Sequence, residues 1–393
     1  MIPSTSPANA CIFPEYILPR LESLTLRAST KPSPLVRATY ASCLAALAES
    51  ASKFLDVVQA LRDEGALPPA ENEMEAQSAY AYRKLYDDAR VDLVRFFESE
   101  TKAFLTDTDA NVRRAFLSSV SSLCVFFGTA KANDVILSHL NTYLNDKDWK
   151  LKSAFFETIV GVAVYVGGTN LEEFILPLMI QALSDSEECV VEKVLRSLAT
   201  MASMGLFQRS RLWALIDLLA CFTMHPNTWI REAAAQFVSC ATKYLSVADR
   251  ECIVKPLIKP YLRVVPATFA EIDLLDALKK PLPRKVLDLA RTWAGKTDKG
   301  TFWKSVQQRL PAFFLEDKMP TIPAEELRPN ALSRLTKNEE DSQWVNKLRN
   351  AGMSTEDDIK FMALSAYIWR ATQRSSRETP IIPKIPYLSL IHI

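Results

Sequence analysis

Apolar residues recur along the middle of the chain with a period of roughly 40 residues. Four copies of one pattern begin at Val112, Leu151, Val190 and Ile230, so the interval between them is nearly constant. Within each copy the apolar positions advance by four, four and three residues, which is the spacing of one face of an amphipathic helix. The copies are Val112, Phe116, Val120 and Leu123; Leu151, Phe155, Ile159 and Val162; Val190, Val194, Leu198 and Met201; and Ile230, Ala234, Val238 and Ala241. We expect these sixteen side chains to lie in a core.

A second helix precedes the copies and repeats in the same register. Its apolar columns are Leu137, Leu176 and Leu215; Leu140, Met179 and Leu218; and Leu144, Leu183 and Phe222. A helix pair that recurs at this period is typical of HEAT and armadillo repeats. The sequence therefore predicts an all-α fold, a HEAT/armadillo-like α-solenoid over residues 13–295 with a partly extended C-terminal linker. Proteins of this class usually bind partners and seldom catalyse.

Charged residues occupy fixed places around the turn inside each helix pair. A carboxylate stands five residues before the first apolar residue of three copies, at Asp107, Asp146 and Asp185. There it is expected to cap the second helix. A cation directly follows the first apolar residue at Arg113, Lys152 and Arg231, and at Arg37 in an earlier, fifth copy headed by Val36. Stacking would place each cation beside a neighbouring carboxylate, so we predict a ladder of ion pairs. Val191 and His225 depart from this pattern.

The fifth copy precedes Val112 by nearly two periods, yet only one helix pair fits between them. Residues 35–62 and 76–104 read as two long helices, and residues 105–246 hold the regular repeats. A helix of about 28 residues spans about 40 Å, so the tip of the pair should project beyond the stack. Its loop contains Pro68 and Pro69, and we predict a docking surface there.

The repeat rhythm changes after residue 246. Capping helices are predicted over 247–295, an extended strap over 296–340 that carries Phe313 and Phe314, and two linker helices over 341–374. The second linker helix places Trp369 on an apolar face, which we predict docks on a domain beyond this chain. The two ends, 1–12 and 375–393, are predicted to be disordered.

Composition narrows the function further. The 47 basic and 46 acidic side chains give a net charge of +1, which favours neither nucleic acid nor an anionic membrane. The longest uncharged apolar stretch, 159–166, is too short for direct insertion into a membrane. Seven cysteines form no CxxC pair, which favours reduced thiols and no metal.

Motifs of the common enzymes are missing from the sequence. There is no phosphate-binding GxxxxGK[ST], no GxGxxG, no HExxH, no GxSxG and no piece of a protein kinase. Adjacent acidic pairs such as Glu187 with Glu188 and Asp357 with Asp358 are interpreted as solvated faces. We therefore predict no catalytic residue, no cofactor and no metal ligand.

Five stretches resemble one protein family. They read FPEYILP (13–19), VRATYASCLAALAE (36–49), HPNTWIREA (225–233) and LDALKKPLPR (275–284), and the fifth runs from Trp344 to Trp369. They are similar to the regulatory subunit of the class III phosphatidylinositol 3-kinase complex. In that family a myristoylated serine/threonine-kinase-like domain, a HEAT array, a linker and a WD40 propeller follow one another. The resemblance covers the array and the linker, which leaves the kinase-like domain outside this chain.

The resemblance implies a scaffold that holds the lipid-kinase catalytic subunit and a Beclin-type subunit in autophagy and vacuolar sorting. It also implies a cytoplasmic protein, peripheral at endosomal, vacuolar and autophagic membranes. Because the family's other domains are missing, we expect an incomplete gene model. The last six residues, 388–393, are similar to a translated sequencing adaptor, and we expect them not to belong to the gene product; a natural apolar tail is the alternative.

The contact elements expected for this scaffold are the loop at Pro68, the strap around Phe313, and the turn tryptophans Trp149 and Trp229. Each tryptophan has packing within its own repeat as the alternative. Two other functions stay open. Another HEAT adaptor, such as a transport receptor or a phosphatase scaffold, has the same architecture, and an enzyme with a site between repeats would turn over ATP or a phosphoinositide by itself.

Overall fold

The computed structural model describes residues 13, 17–25, 32–64, 79–137, 139, 143, 146–296, 301–309, 332 and 338–378. The chain divides into two compact units, Met1–Leu178 (unit 1) and Met179–Ile393 (unit 2). Within the described residues the secondary structure is helical, apart from one isolated antiparallel bridge between Leu262 and Leu278. The prediction of an all-α fold is confirmed. Pro68, Pro69, Phe313 and Phe314 lie outside the described residues.

Unit 1 is built from helical hairpins that begin with an elongated pair. Its described helices of seven or more residues are α1 (Leu18–Thr25), α2 (Pro34–Asp63), α3 (Ala79–Leu105), α4 (Ala110–Ala132), α5 (Trp149–Val166) and α6 (Leu176–Ala182). The last of these continues into unit 2. One-turn helical segments, Asn133–Leu137 and Leu171–Ile175, lie between the longer helices. Helices α2 and α3, of 30 and 27 residues, are longer than the helices of the following repeats.

The core of unit 1 lies where α4 packs between α2 and α5. The hydroxyl of Ser119 on α4 donates to the carbonyl oxygens of Ala41 and Ser42 on α2, each at 3.0 Å. Within the described part of the chain, Ala110–Ile136 is long and apolar enough to cross a membrane by composition alone. Several of its apolar residues contribute to this core, since Val112, Phe116 and Leu123 are fully buried.

A glycine inside α5 allows that helix to approach α4 closely. A Cβ atom added at Gly161 would lie 2.3 Å from Ser121 Oγ on α4. We expect Gly161→Leu to lower the free energy of unfolding of unit 1 by about 2 kcal/mol, because the larger side chain would force the two helices apart. Urea unfolding followed by circular dichroism measures the change. The control is Gly168→Ala, because no atom lies within 4 Å of a Cβ there; an equal loss in both variants would contradict the prediction.

The described part of unit 2 ends in a group of four helices. Its described helices of seven or more residues are α7 (Glu188–Ser203), α8 (Arg209–Leu219), α9 (Thr228–Thr242), α10 (Glu271–Ala277), α11 (Arg284–Gly295), α12 (Thr301–Arg309), α13 (Glu339–Asn350) and α14 (Asp357–Glu378). Helix α7 packs on α9, and α14 packs on α11 and α12. We call α11 to α14 the closing helices.

The sixteen residues of the repeat pattern are all buried, with at most 2% of each side chain exposed. Each of the four helices that carry them, α4 and α5 in unit 1 and α7 and α9 in unit 2, turns this face inward. The prediction that these sixteen residues lie in a core is therefore confirmed; of the columns on the preceding helix, Leu140 and Leu144 lie outside the described residues. In the earlier copy, Tyr40 and Leu44 are buried but Val36 is 46% exposed, so the pattern is weaker at its beginning.

Stacked aromatic rings form the core of the closing helices. Trp293 on α11 lies 5.1 Å from Phe302 and 5.3 Å from Trp303 on α12, measured between ring centres. Trp344 on α13 and Phe361 on α14 pack on the same ring at 6.3 and 6.2 Å. Aromatic pairs at these distances add to the free energy gained by burial.

Residues 375–378, which we placed in a disordered tail, belong to helix α14. Two further predictions about this region are wrong. Residues 301–309, which we placed in the extended strap, form helix α12. Trp369, predicted to dock on a domain beyond this chain, is only 8% exposed and stacks on Trp303 at 6.0 Å. Both errors have the same cause. The aromatic residues at the start of α12 pack on the apolar face of α14, for which the sequence pattern indicates no partner.

An aspartate on α13 holds the start of α12. Asp341 is fully buried, and its Oδ2 accepts hydrogen bonds from the backbone N–H of Thr301 at 3.0 Å, from that of Phe302 at 3.0 Å and from the Thr301 hydroxyl at 2.8 Å. The carboxylate thus satisfies backbone donors that the first turn of a helix leaves without partners. Two segments that are distant in sequence therefore share one helix cap.

Candidate functional site

Two aspartates shape the turn before α4, and two others shape the turn before α5. Oδ1 of Asp107 accepts from the backbone N–H of Asp109, and Oδ1 of Asp109 accepts from that of Asn111 on α4, at 2.8 and 2.7 Å. Asp146 and Asp148 make the same two bonds ahead of α5, at 2.8 and 2.9 Å. The helix cap is therefore the second aspartate of each pair, and the prediction that Asp107 and Asp146 cap these helices is wrong.

The same correction applies to Asp185 in unit 2. Its Oδ1 accepts from the backbone N–H of Glu187, the residue that precedes α7, at 3.0 Å. A carboxylate two residues before the cap fixes the turn rather than the helix end, because it bonds the N–H of the cap residue itself.

Ion pairs join neighbouring hairpins of unit 1. Arg37 on α2 binds both carboxylate oxygens of Asp107, at 3.0 and 3.1 Å. Arg113 on α4 binds Oδ2 of Asp146 at 2.5 Å and also donates to the carbonyl oxygen of Asp107 at 2.5 Å. Both pairs are largely buried, and each connects one repeat to the next. Lys152 on α5 is buried as well, and a pairing of Lys152 with Asp185 stays a prediction.

In unit 2 a histidine takes the place of the turn aspartate. Nδ1 of His225 accepts from the backbone N–H of Asn227 at 3.1 Å, and Asn227 caps α9 by accepting from the N–H of Trp229 at 3.0 Å. Arg231 donates to the carbonyl oxygens of His225 and Pro226 at 3.1 and 2.9 Å. Arg231 therefore stabilises its own turn, as Arg113 does through the carbonyl of Asp107.

A polar network surrounds this buried histidine. Glu188 on α7 accepts from the side-chain amide of Asn227 at 3.0 Å and from Arg284 on α11 at 2.7 Å. Arg291 on α11 lies 3.6 Å from Glu188 and donates to the Tyr367 hydroxyl on α14 at 2.8 Å. Burial raises the pKa of Tyr367 to about 12. Burial alone would raise the pKa of Glu188, but the Asn227 hydrogen bond and the nearby positive charges hold it below its usual value.

Sequence patterns missed this network and a second acidic site. Glu188 and the pair Asp357 and Asp358 were interpreted as solvated residues, but Glu188 binds arginines from α11, and both aspartates are buried. Asp358 pairs with Arg349 at 2.5 Å. These partners come from other helices, so spacing along one helix gives no sign of them. The one hint in the sequence is that Val191 and His225 stand where the repeat pattern has a cation and an aspartate.

The burial of His225 makes the stability of unit 2 depend on pH. Burial, together with the charges of Arg291, Arg284 and Arg231, lowers its pKa to about 4, against the opposing effect of Glu188; the Tyr367 ring faces it as well. A histidine with a lowered folded pKa is neutral when folded and takes up a proton when it unfolds. Its stabilising contribution is therefore complete above about pH 6.5 and is lost as the pH falls toward 4.

We expect the contribution of His225 to the free energy of unfolding of unit 2 to fall by about 2 kcal/mol between pH 7.5 and pH 5. Asp217 opposes it, because burial raises the pKa of that carboxyl to about 6, and its protonation favours the folded state. The measured quantity is accordingly the difference between the native chain and His225→Asn, from urea unfolding at the two pH values. The asparagine keeps an acceptor for the turn and does not titrate in this range. Parallel pH profiles of the two proteins would contradict the prediction.

Two tryptophans are exposed beside these turns. Trp149 begins α5 directly after its cap and is 40% exposed, and Trp229 in the first turn of α9 is 60% exposed. Lys150 lies 5.7 Å from the Trp149 ring centre. Tryptophan is a residue type enriched at the energetic centres of protein interfaces, whereas packing within a repeat would bury it. Each ring stands on a turn that hydrogen bonds fix, which suits a preformed contact surface.

Across the described ranges no three His, Cys, Asp or Glu side chains are arranged to hold a metal ion. The six cysteines that the structure describes are free thiols. The chemistry of the turns is that of hydrogen bonding and ion pairing.

The chain is similar to a part of several longer proteins. The family described as PIK3R4-like, middle domain, matches residues 1–291. Serine/threonine-protein kinase vps15 of Schizosaccharomyces pombe is 44% identical over 304 residues, which are 77% of this chain and 18% of the relative. Serine/threonine-protein kinase VPS15 of Saccharomyces cerevisiae is 31% identical over an alignment of 406 residues, with 96% of this chain and 27% of the relative covered. The chain thus spans between about a sixth and about a quarter of these relatives.

Proposed function

The chain belongs to the PIK3R4-like middle-domain family, and on that premise we propose that it is a non-catalytic scaffold region of a phosphatidylinositol 3-kinase complex. The observation that carries the proposal is the pair of exposed tryptophans on hydrogen-bonded repeat turns. A scaffold needs rigid surfaces that recognise partners, and these turns provide apolar side chains on fixed backbone.

The partners we propose are the class III catalytic subunit and a Beclin-type subunit, with roles in autophagy and in endosomal and vacuolar sorting. The chain would reach those membranes from the cytoplasm through its partners, without inserting itself. Kinase chemistry belongs to the relatives as whole proteins, and the family that matches this chain is their middle domain. We therefore assign binding, and no catalysis, to the residues described above.

The test is binding of the full chain to the purified class III catalytic subunit and Beclin-type subunit. We expect Trp149→Ala or Trp229→Ala to weaken binding by about tenfold or more, because truncation of a central aromatic residue commonly costs at least about 1.4–2 kcal/mol. Matched controls are Val91→Ser in unit 1 and Ile272→Ser in unit 2, which are exposed apolar residues away from the turns, and these should bind normally.

Three outcomes would count against the proposal. Native affinity in both tryptophan variants would exclude the turns as the contact surface. Selective binding of a nuclear-transport cargo or a phosphatase subunit, with no binding to the lipid kinase, would favour the other class of HEAT adaptor. Turnover of ATP or a phosphoinositide by the purified chain would indicate an enzyme.

A further inference from the structure

One rung of the repeat ladder is changed at both of its positions. In unit 1 the rung consists of a cation after the first apolar residue of one helix and an aspartate ahead of the next, as in Arg37 with Asp107. In unit 2 the corresponding positions on α7 and ahead of α9 are Val191 and His225, and both are fully buried. Loss of only one partner would leave a buried charge without compensation, whereas the paired change removes both charges together.

A side chain from the closing helices occupies the surface beside this altered rung. The ring of Tyr367 on α14 packs edge-on against the His225 ring at 5.4 Å and against Phe222 at 5.3 Å. His225 uses Nδ1 to accept from Asn227, so its neutral ring carries the proton on Nε2, for which the described residues offer no hydrogen-bond partner. An aromatic surface of this kind suits another ring better than a carboxylate would.

Charged residues lie next to the altered rung instead of within it, and two of them are arginines of α11, the first of the closing helices. Arg284 and Arg291 of α11 both approach Glu188 at the first position of α7, at 2.7 and 3.6 Å. Arg291 also binds the Tyr367 hydroxyl, and its guanidinium lies 5.7 Å from the centre of that ring. The backbone N–H of Leu282, just before α11, donates to the carbonyl oxygen of Met224 at 3.0 Å.

From this arrangement we propose that the Val191 and His225 rung is a seat for the closing helices, and that Tyr367 is the latch that holds them on it. The closing helices have an aromatic core of their own around Trp293. They can therefore leave the seat as a folded group when the latch opens. This inference concerns contacts within unit 2 and does not depend on which partners the scaffold binds.

The test restores the ladder and follows the distance between the repeat and the closing helices. Spin labels on cysteines introduced at Lys243 after α9 and at Asn346 on α13, both outside the buried core, report that distance once the native cysteines other than the buried Cys124 are replaced by serine. We expect one narrow distance distribution in the native chain. In Val191→Lys with His225→Asp, and in Tyr367→Ala, the distribution should become about twofold broader as the closing helices leave the seat as a group.

Near-ultraviolet circular dichroism of the aromatic core distinguishes release from unfolding. Retained dichroism together with a broad distance distribution supports the latch. The control is Tyr244→Ala, because the Tyr244 hydroxyl donates to the carbonyl oxygen of Ser203; this variant should keep the narrow distribution. Where Tyr367→Ala loses the dichroism, Tyr367→Phe decides, because it removes only the bond to Arg291 and should still broaden the distribution. If Tyr367→Ala unfolds, a distance distribution of native width in Tyr367→Phe would overturn the proposal. If Tyr367→Ala stays folded, native widths in both that variant and the Val191→Lys with His225→Asp variant would overturn it.

Discussion

Trp293→Ala is expected to lower the free energy of unfolding of unit 2 by about 4 kcal/mol. The side chain is only 2% exposed and contacts aromatic rings from α12, α13 and α14. Its removal leaves a cavity where three helices meet, and the rings around it are too large and too constrained to fill that space. Urea unfolding of the full chain, followed by far-ultraviolet circular dichroism, measures the loss.

The matched control is Trp229→Ala, which makes the same chemical change at a side chain that is 60% exposed. It should change the free energy of unfolding by less than about 0.5 kcal/mol, since surface substitutions away from packed features rarely do more. Similar losses at both positions would mean that the aromatic cluster does not form the core of the closing helices.

Asp107→Ala is expected to destabilise unit 1 by about 3 kcal/mol. The substitution removes the carboxylate that pairs with Arg37, so the largely buried guanidinium keeps only the Pro32 carbonyl oxygen and has no countercharge. It also removes the bond that fixes the turn at Asp109. An uncompensated buried charge costs more than the ion pair gains, so most of the loss should come from Arg37. Thermal and urea unfolding of the full chain provide the measurement.

Two further variants separate this effect from the loss of any surface charge. Asp92→Ala breaks an exposed pair with Arg95 on α3 and should cost no more than about 0.5 kcal/mol. Arg37→Met combined with Asp107→Leu should recover much of the loss, because both charges then disappear together. If the double variant were as unstable as Asp107→Ala, the ladder pair would not be the source of the effect.

The core was predictable from the sequence because its pattern is local and repeated. A helix buries one face, so residues such as Val112, Phe116 and Val120 must recur at helical spacing wherever a helix packs on its neighbours. Four copies in one register make chance agreement implausible. The ion pairs of unit 1 follow from the same periodicity, because stacking brings equivalent positions of successive repeats together.

Features that depend on contacts between distant segments were not predictable in this way. Asp107 and Asp109 are two residues apart, and only the backbone conformation of the turn shows which of them caps α4. Trp369 gained a partner from α12, and Glu188 gained partners from α11, each from a remote part of the sequence. Pairings of this kind depend on which helix reaches which surface, and hydrophobic spacing within one segment does not encode that.

The bond between Asp341 and the start of α12 has a consequence for synthesis of the chain. On the ribosome, residues 301–309 are synthesised before the aspartate that holds their first turn. Translation proceeds at about 5–20 residues per second, so roughly 4–15 s pass between the addition of Trp293 and the addition of Trp369, the last ring of the aromatic cluster. During that interval the nascent polypeptide exposes several tryptophan and phenylalanine rings to water, and binding by a chaperone in this window would protect it from aggregation.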